Sequence, residues 1–381
     1  MSHIASLRAA AAALALAGSA ASAAAQGFET AARAAYVVDY DTGTVLYEKE
    51  ASARIPPASM SKIMTMYVVF EHMKAGRLAL GDELPVSKAA WQMGGSKMFV
   101  KIDSRVKVED LVRGVIVQSG NDACIVLAEG ISGSEEAFVK LMNQRARTLG
   151  LTDSNFANVT GWPNPEHYTS ARDLARVARH LIADFPDRYR YYSEREFTFN
   201  GIKQGNRNPL LYKPLGADGL KTGHTEEAGY GLTASAVRDG RRLIMVVTGL
   251  PTMRARAQES ERLLDWAFRE FDNYTLVKAG QPLESAEVWL GDAATVPMQA
   301  TADLRVTLPR RSRDEVKAVA VYDGPVAAPI AQGQRIGTLE IRIGDRKIAE
   351  TPLVAGAAVG RRNVFGRLAA AAGRLVNGPP R

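Results

Sequence analysis

Ser59-Met60-Ser61-Lys62 sets a hydroxyl and an amine three residues apart, and on a helix residues at that spacing share a face. A serine hydroxyl is a weak nucleophile unless a neighbouring base takes its proton, and a lysine can be that base only if its pKa falls far below the ordinary value. Burial and a second cation both push it down. Taken alone the spacing says little, because a helix-capping serine followed by a solvated lysine reads identically. Two further triplets, Ser119-Gly120-Asn121 and Lys221-Thr222-Gly223, change that. Ser119 can relay a proton, and Asn121 carries an acceptor and two donors, enough to hold both a lysine and a substrate amide. Lys221, on a strand, supplies the second cation, which lowers the pKa of Lys62 and attracts an anionic substrate, and Gly223 lets a substrate backbone approach. The chemistry open to such a set is acyl transfer through Ser59.

These residues must be positioned by elements legible in the pattern. Ala35 to Tyr40 and Thr44 to Tyr47 flank Asp41-Thr42-Gly43, a β-hairpin closed by a glycine turn. Pro56-Pro57-Ala58 stops any preceding element, and from Ser59 apolar residues recur at helical spacing through Met64, Val68 and Met73. Helical patterns follow over 108–130, 134–149 and 170–185. Strands return over 229–237 and 243–250 around the turn Arg238-Asp239-Gly240-Arg241, and a helix over 254–271 closes the section. Strands at both ends with helices between predict an α+β domain over 26–275, built on one antiparallel sheet with a helical subdomain. Period-two alternation at 286–290, 304–308, 317–322 and 338–343 predicts a small all-β second domain over 276–357.

A chain of 381 residues suits two or three domains. Its opening carries Arg8, an alanine-leucine run over 9–17 and Ala23-Ala24-Ala25 before Gln26, the pattern of a secretory leader over 1–25. The run is too short for a helix to span a bilayer of about 30 Å. Cys124 is the one cysteine; it lies in an apolar helical run and is expected to be buried and inert, with no intramolecular disulfide available. A net charge of +7 would suit nucleic acid, an anionic membrane or an anionic wall polymer, and export argues against nucleic acid. Over 358–381 Val364, Phe365, Leu368, Ala372, Leu375 and Val376 share an arc beside Arg367 and Arg374, a basic amphipathic helix of the kind that lies in a membrane interface. Five scattered histidines give no metal-ligand spacing, so neither metal nor cofactor is expected. His167 and His72 read as structural or exposed, and Trp162, Trp266 and Trp289 as core. Arg207 and Arg254 or Arg256 are guanidinium groups suited to a substrate carboxylate, kept outside the site set.

The three-part set, in its S-D-N form, is the signature of class A β-lactamases and penicillin-binding proteins. Over nearly the whole chain after the leader, the sequence resembles the low-molecular-weight penicillin-binding proteins, the D-alanyl-D-alanine carboxypeptidases. The resemblance rests on Pro57-Ala58-Ser59-Met60-Ser61-Lys62-Ile63-Met64-Thr65, Ser119-Gly120-Asn121-Asp122-Ala123-Cys124, His167-Tyr168-Thr169-Ser170-Ala171-Arg172-Asp173 and Asp218-Gly219-Leu220-Lys221-Thr222-Gly223-His224-Thr225. It implies a β-lactamase-type α+β domain with a small β domain after it. Ser59, Lys62, Ser119, Asn121 and Lys221 would be catalytic, and Gly120, Thr222, Gly223 and His224 substrate-binding. Ser59 would attack the penultimate D-alanine carbonyl of a peptidoglycan stem peptide ending in D-Ala-D-Ala, and β-lactams would acylate the same serine. The backbone N–H groups of Ser59 and His224 would form the oxyanion hole, Ser119 would pass a proton to the leaving amine, and Thr222 with Lys221 would receive the terminal carboxylate. The resemblance further implies a role in cell-wall biogenesis and cell shape, on the periplasmic side of the cytoplasmic membrane and held there by the C-terminal amphipathic helix.

Other readings are weaker. A β-lactamase needs a group that activates water for fast deacylation, and no Glu-x-x-Leu-Asn element lies between Asn121 and Lys221. A D,D-endopeptidase would resemble the first domain alone, and a non-catalytic wall-binding protein would not keep all five catalytic positions.

Overall fold

The computed structural model describes residues 28–363. The hairpin is present as β1 (Ala34–Asp39) and β2 (Val45–Lys49), with the Asp39 carboxylate accepting from the N–H groups of Asp41 and Thr42 across the turn. Far along the chain come β3 (Ala217–Thr225), β4 (Gly229–Arg238) and β5 (Arg241–Leu250). All five form one antiparallel sheet in the order β2-β1-β5-β4-β3. The two chain ends of the domain thus meet at β1 and β5, and β3 is left at an edge.

Strand side chains alternate between faces, and β1 is apolar on both. Ala34, Tyr36 and Val38 join the core under the helices, while Ala35 and Val37 join a second core beneath α6 (Met253–Glu270) with Leu263, Leu264 and Trp266. The first core is built around α1 (Lys62–Lys74), which is buried along most of its length and apolar on all sides, as a helix enclosed by others must be. Around it pack α3 (Asn121–Ser132), α4 (Glu135–Thr148) and α5 (Ala171–Asp184). Ser134, Ser170 and Thr252 cap α4, α5 and α6 by accepting a backbone N–H three residues on, satisfying a donor that a helix start otherwise leaves open.

The continuous helical pattern at 108–130 is in fact two helices, α2 (Val108–Ile116) and α3, parted by a reversal in which Ser119 takes φ 61. The apolar period runs through the break because both helices face the same core, so hydrophobicity alone does not reveal it.

In the second domain Phe271–Val277 pairs with Leu304–Pro309, and six strands between Pro282 and Ala355 form another sheet over a core that includes Ala286, Val296, Met298, Ile341 and Leu353. The leader expected at 1–25 lies outside the described residues, as does the amphipathic arc from Val364 onward. No helix among the described residues is long and apolar enough to cross a membrane.

A polar cluster joins the domains. Asp39, wholly buried, accepts from Arg241 Nε at 2.8 Å, and Arg241 also donates to the Phe271 carbonyl at 2.7 Å. Asn273 donates to Asp39, while Thr307 meets Thr42 at 2.5 Å and Asn273 at 2.7 Å. Removing one partner of such a pair strands the other as a buried charge, which costs about 3–5 kcal/mol. Asp39→Ala is therefore expected to lower the urea unfolding midpoint of the catalytic domain sharply; a loss under about 1 kcal/mol, the scale of an exposed pair, would show that the cluster is not a clamp.

Candidate active site

Ser59 stands in a single 3-10 turn, Ala58–Ser61, that leads directly into α1. The turn is pinned from two sides by glycines. A Cβ on Gly161, whose φ is +81°, would overlap the Ala58 carbonyl and come 3.1 Å from Ser59 N, and one on Gly223 would lie 2.9 Å from the Pro57 oxygen and 3.2 Å from Ala58 Cβ. Gly223 thus has a reason beyond the one its sequence suggests: the space where its side chain would be holds the turn that carries Ser59.

Lys62 is 1 % exposed, and its Nζ lies 3.0 Å from Ser59 Oγ, 2.7 Å from Asn121 Oδ1 and 2.6 Å from the Thr160 carbonyl. Asn121 is fixed in that sense because its Nδ2 donates to the Gly94 carbonyl at 2.8 Å. Asn121 Oδ1 and Thr160 O can only accept. A neutral amine has two N–H donors and one lone pair, so the two acceptors take both donors and the lone pair is left facing the Ser59 hydroxyl. Burial, reinforced by the charge of Arg207, pulls the Lys62 pKa down to about 8, within reach of neutral conditions.

Lys221, buried on the edge strand β3, donates to the Thr222 carbonyl at 3.1 Å. Burial first, then Lys62 and Arg207, hold its ammonium well below the ordinary lysine value. The two lysines repel in a dry site and titrate as a pair. Pairing of Lys221 with Thr233 and of Gly223 with Gly231 turns both toward the Ser59 turn. The pleat sends Thr222 and His224 to the other face, where the His224 ring stacks on Tyr230 at 3.8 Å between centroids. Ser119 Oγ is buried without a hydrogen-bond partner among the described residues.

Of the guanidinium candidates, Arg207 donates to Ser96 Oγ at 2.6 Å, and its charge acts on both lysines. Arg256 is buried, donates to the Arg207 carbonyl at 3.3 Å and lies over the Tyr230 ring; burial lowers its pKa to about 10. Arg254 is exposed on α6. The cluster thus includes Arg207 and Arg256, which no spacing in the sequence ties to the three triplets.

Several supporting residues also escaped the sequence. Asp122 accepts from the N–H groups of Met98, Phe99 and Val100, locking the loop whose Gly94 and Ser96 carbonyls bond Asn121. His167 is structural, as its sequence suggests. Its Nδ1 accepts from Ala157 N–H, so Nε2 carries the proton toward Ser61 Oγ at 2.6 Å. Burial and then the Lys62 charge hold its pKa down at about 4, and it stays neutral. Cys124 is buried, and burial pushes its thiol up to about 12. Trp162, expected in the core, is 48 % exposed, its ring packed against Gly94 and Gly95 beside Asn121. Among the described residues no cluster could hold a metal ion.

A serine hydroxyl 3.0 Å from a buried lysine amine, beneath a sheet edge surrounded by cations, is the arrangement that a serine acyl-transfer enzyme with an amine base would need. The chain belongs to the D-alanyl-D-alanine carboxypeptidase family, whose model matches residues 19–252, and a model described as penicillin-binding protein 5, C-terminal domain, matches 271–361. It is 43 % identical over 345 residues to D-alanyl-D-alanine carboxypeptidase DacC of Escherichia coli strain K12, covering 88 % of this chain and 86 % of that one. Among solved structures it is similar to penicillin-binding protein 5 from Haemophilus influenzae, with a TM-score of 0.79 and 40 % identity over 88 % of this chain and 99 % of the other. Penicillin-binding protein 6B from Escherichia coli follows at 0.75 and 36 %, covering 88 % and 98 %. The family and the two-part fold expected from the motifs are borne out.

The glycine that pins the nucleophile offers a sharp test. Gly161→Ala puts a methyl group into the Ala58 carbonyl at a backbone angle that L side chains rarely adopt, and is expected to abolish labelling of Ser59 by fluorescent penicillin while leaving folded secondary structure by circular dichroism. Labelling at the wild-type rate would show that the turn does not depend on this contact.

Proposed function

We propose that this carboxypeptidase removes the terminal D-alanine of peptidoglycan stem peptides through a Ser59 acyl-enzyme, with Lys62 as the base. The observation that carries the reading is the set of three partners around Lys62 Nζ, which leaves its lone pair facing Ser59 Oγ. Lys62 takes the Ser59 proton as Oγ attacks the penultimate D-alanine carbonyl, and the oxyanion is met by the N–H groups of Ser59 and His224. Two oriented donors at such an oxyanion are worth several kcal/mol. As the C–N bond breaks, Ser119 Oγ hands its proton to the leaving amine and takes from Lys62 the one removed from Ser59, which leaves Lys62 neutral again; its buried, unpartnered oxygen suits that relay. Water, deprotonated by Lys62, then attacks the ester and frees Ser59. The terminal carboxylate is received by Lys221, with Arg207 and Arg256 supplying further positive charge, and the substrate backbone lies along the open edge of β3, as an added strand; the resemblance adds Thr222, whose side chain stands on the opposite face of β3 from Lys221.

β-Lactams acylate Ser59 in the same way, and slow release is expected because the Glu-x-x-Leu-Asn element with which a β-lactamase speeds deacylation is missing between Asn121 and Lys221. The secretory pattern at 1–25 supports export, and the basic amphipathic arc at 361–376 supports peripheral attachment to the periplasmic side of the cytoplasmic membrane. A role in cell-wall biogenesis and cell shape follows from that substrate.

The test is release of D-alanine from a diacylated Lys-D-Ala-D-Ala peptide by the chain from Gln26. Wild type is expected to release it and Ser59→Ala to release none. A folded wild-type chain that labels with penicillin at Ser59 yet releases no D-alanine would overturn the reading.

A further inference from the structure

One face beside the active site is not accounted for by chemistry on a peptide. The loop that holds Asn121 continues outward through Ser96, Lys97 and Phe99, and three aromatic side chains border it in the open. Trp91 is 42 % exposed, Phe99 47 % and Trp162 48 %. Each is tied to this loop or its flanks: Lys97 Nζ donates to the Trp91 carbonyl, Trp162 packs on Gly94 and Gly95, and Asn200 donates to the Phe99 carbonyl. Asp122 fixes the backbone at Phe99 through the N–H groups of Met98, Phe99 and Val100. Along the segment itself the exposed charge is one-sided, with the Asp122 carboxylate buried beneath it and Glu129 accepting from Ser87 Oγ at 3.0 Å just before it. Residues 88–101 contain Lys88, Lys97 and Lys101 and no carboxylate, and Asp103 is the first acidic residue after Glu83. Lys88 and Lys101 are exposed.

We propose that this platform binds the glycan strand of the polymer whose stem peptide is cut at Ser59, an inference that rests on the carboxypeptidase reading. A pyranose ring presents a face of C–H groups that packs on an aromatic ring, which is apolar in its body and fixed by few torsions, while the carboxylates of neighbouring stem peptides match the lysines. Continuity with the site favours this occupant. The same loop bonds Asn121 through Gly94 and Ser96 and reaches Arg207 through the Ser96 hydroxyl, so a strand lying across it would deliver its stem to Ser59. Aromatic and lysine side chains also suit a membrane surface, but a bilayer pressed on this face would cover the mouth through which the polymer must enter.

The experiment compares Trp91→Ala/Phe99→Ala and Lys88→Gln/Lys101→Gln with wild type on two substrates: the diacylated Lys-D-Ala-D-Ala peptide and uncrosslinked glycan strands bearing pentapeptide stems. The expected result is an unchanged kcat/KM on the soluble peptide and a fall of at least about fivefold on the polymer, carried by KM, as for loss of two contact residues. Penicillin labelling of Ser59 reports that each variant is folded. Retention on peptide-free glycan strands needs no catalysis and is read alongside: wild type is held and the variants are not. A polymer rate equal to wild type would overturn the proposal, as would equal losses on both substrates. Loss of binding to anionic phospholipid vesicles with the polymer rate intact would also overturn it, assigning the face to a membrane instead. Failure of wild type on the soluble peptide would strike the carboxypeptidase reading alone, since glycan retention is measured without it.

Discussion

Burying the Lys62 amine beside a hydroxyl is the constraint on which the rest of the structure depends. An isolated ammonium in a dry interior is so unfavourable that the group gives up its proton. The protein uses that tendency, but only if each N–H of the neutral amine has a partner and the lone pair points the right way. Asn121 and Thr160 supply the two acceptors. Holding them there needs the chain reversal at Ser119, the α3 helix start, the loop locked by Asp122 and the turn around Gly161. Much of the helical subdomain is scaffolding for three contacts to one nitrogen.

The sheet performs the complementary task. Its edge strand β3 brings Lys221 to the site from the opposite side, and Gly223 lets that strand lie against the nucleophile's turn. Two buried lysines and Arg207 lie close enough that Arg207 disfavours the proton on both lysines and Lys62 that on Lys221, and together they leave a place for an anion. A substrate carboxylate entering the site would relieve that repulsion, which couples binding of the terminal carboxylate to the protonation state of the catalytic pair.

Much of this was legible in the sequence, and the parts that were not share a cause. The three triplets carry their own geometry: Ser59 and Lys62 meet because of helical spacing, and Lys221 turns inward because strands alternate. The hairpin was readable from its turn chemistry. The break between α2 and α3 was hidden because both helices face one core and keep one apolar period. Arg207, Arg256, Thr160 and Asp122 act through contacts between segments far apart in the chain, which spacing does not encode. The packing role of Gly223 was not legible, since only the fold shows what occupies the space its side chain would take. Trp162 was misplaced because a large apolar side chain reads as core, whereas here its ring lies in a polar loop, packs on two glycines and stays open to solvent.

The claim that a neutral Lys62 activates Ser59 is tested most directly by the second-order rate of Ser59 acylation by benzylpenicillin from about pH 6 to about pH 10, a range bracketing the lowered lysine value. The account predicts a rate that climbs with pH as the lysine pair loses its proton and levels off beyond about 8. A rate flat across that range, with acylation itself limiting, would show that the base is already free at low pH and that Lys62 is not it.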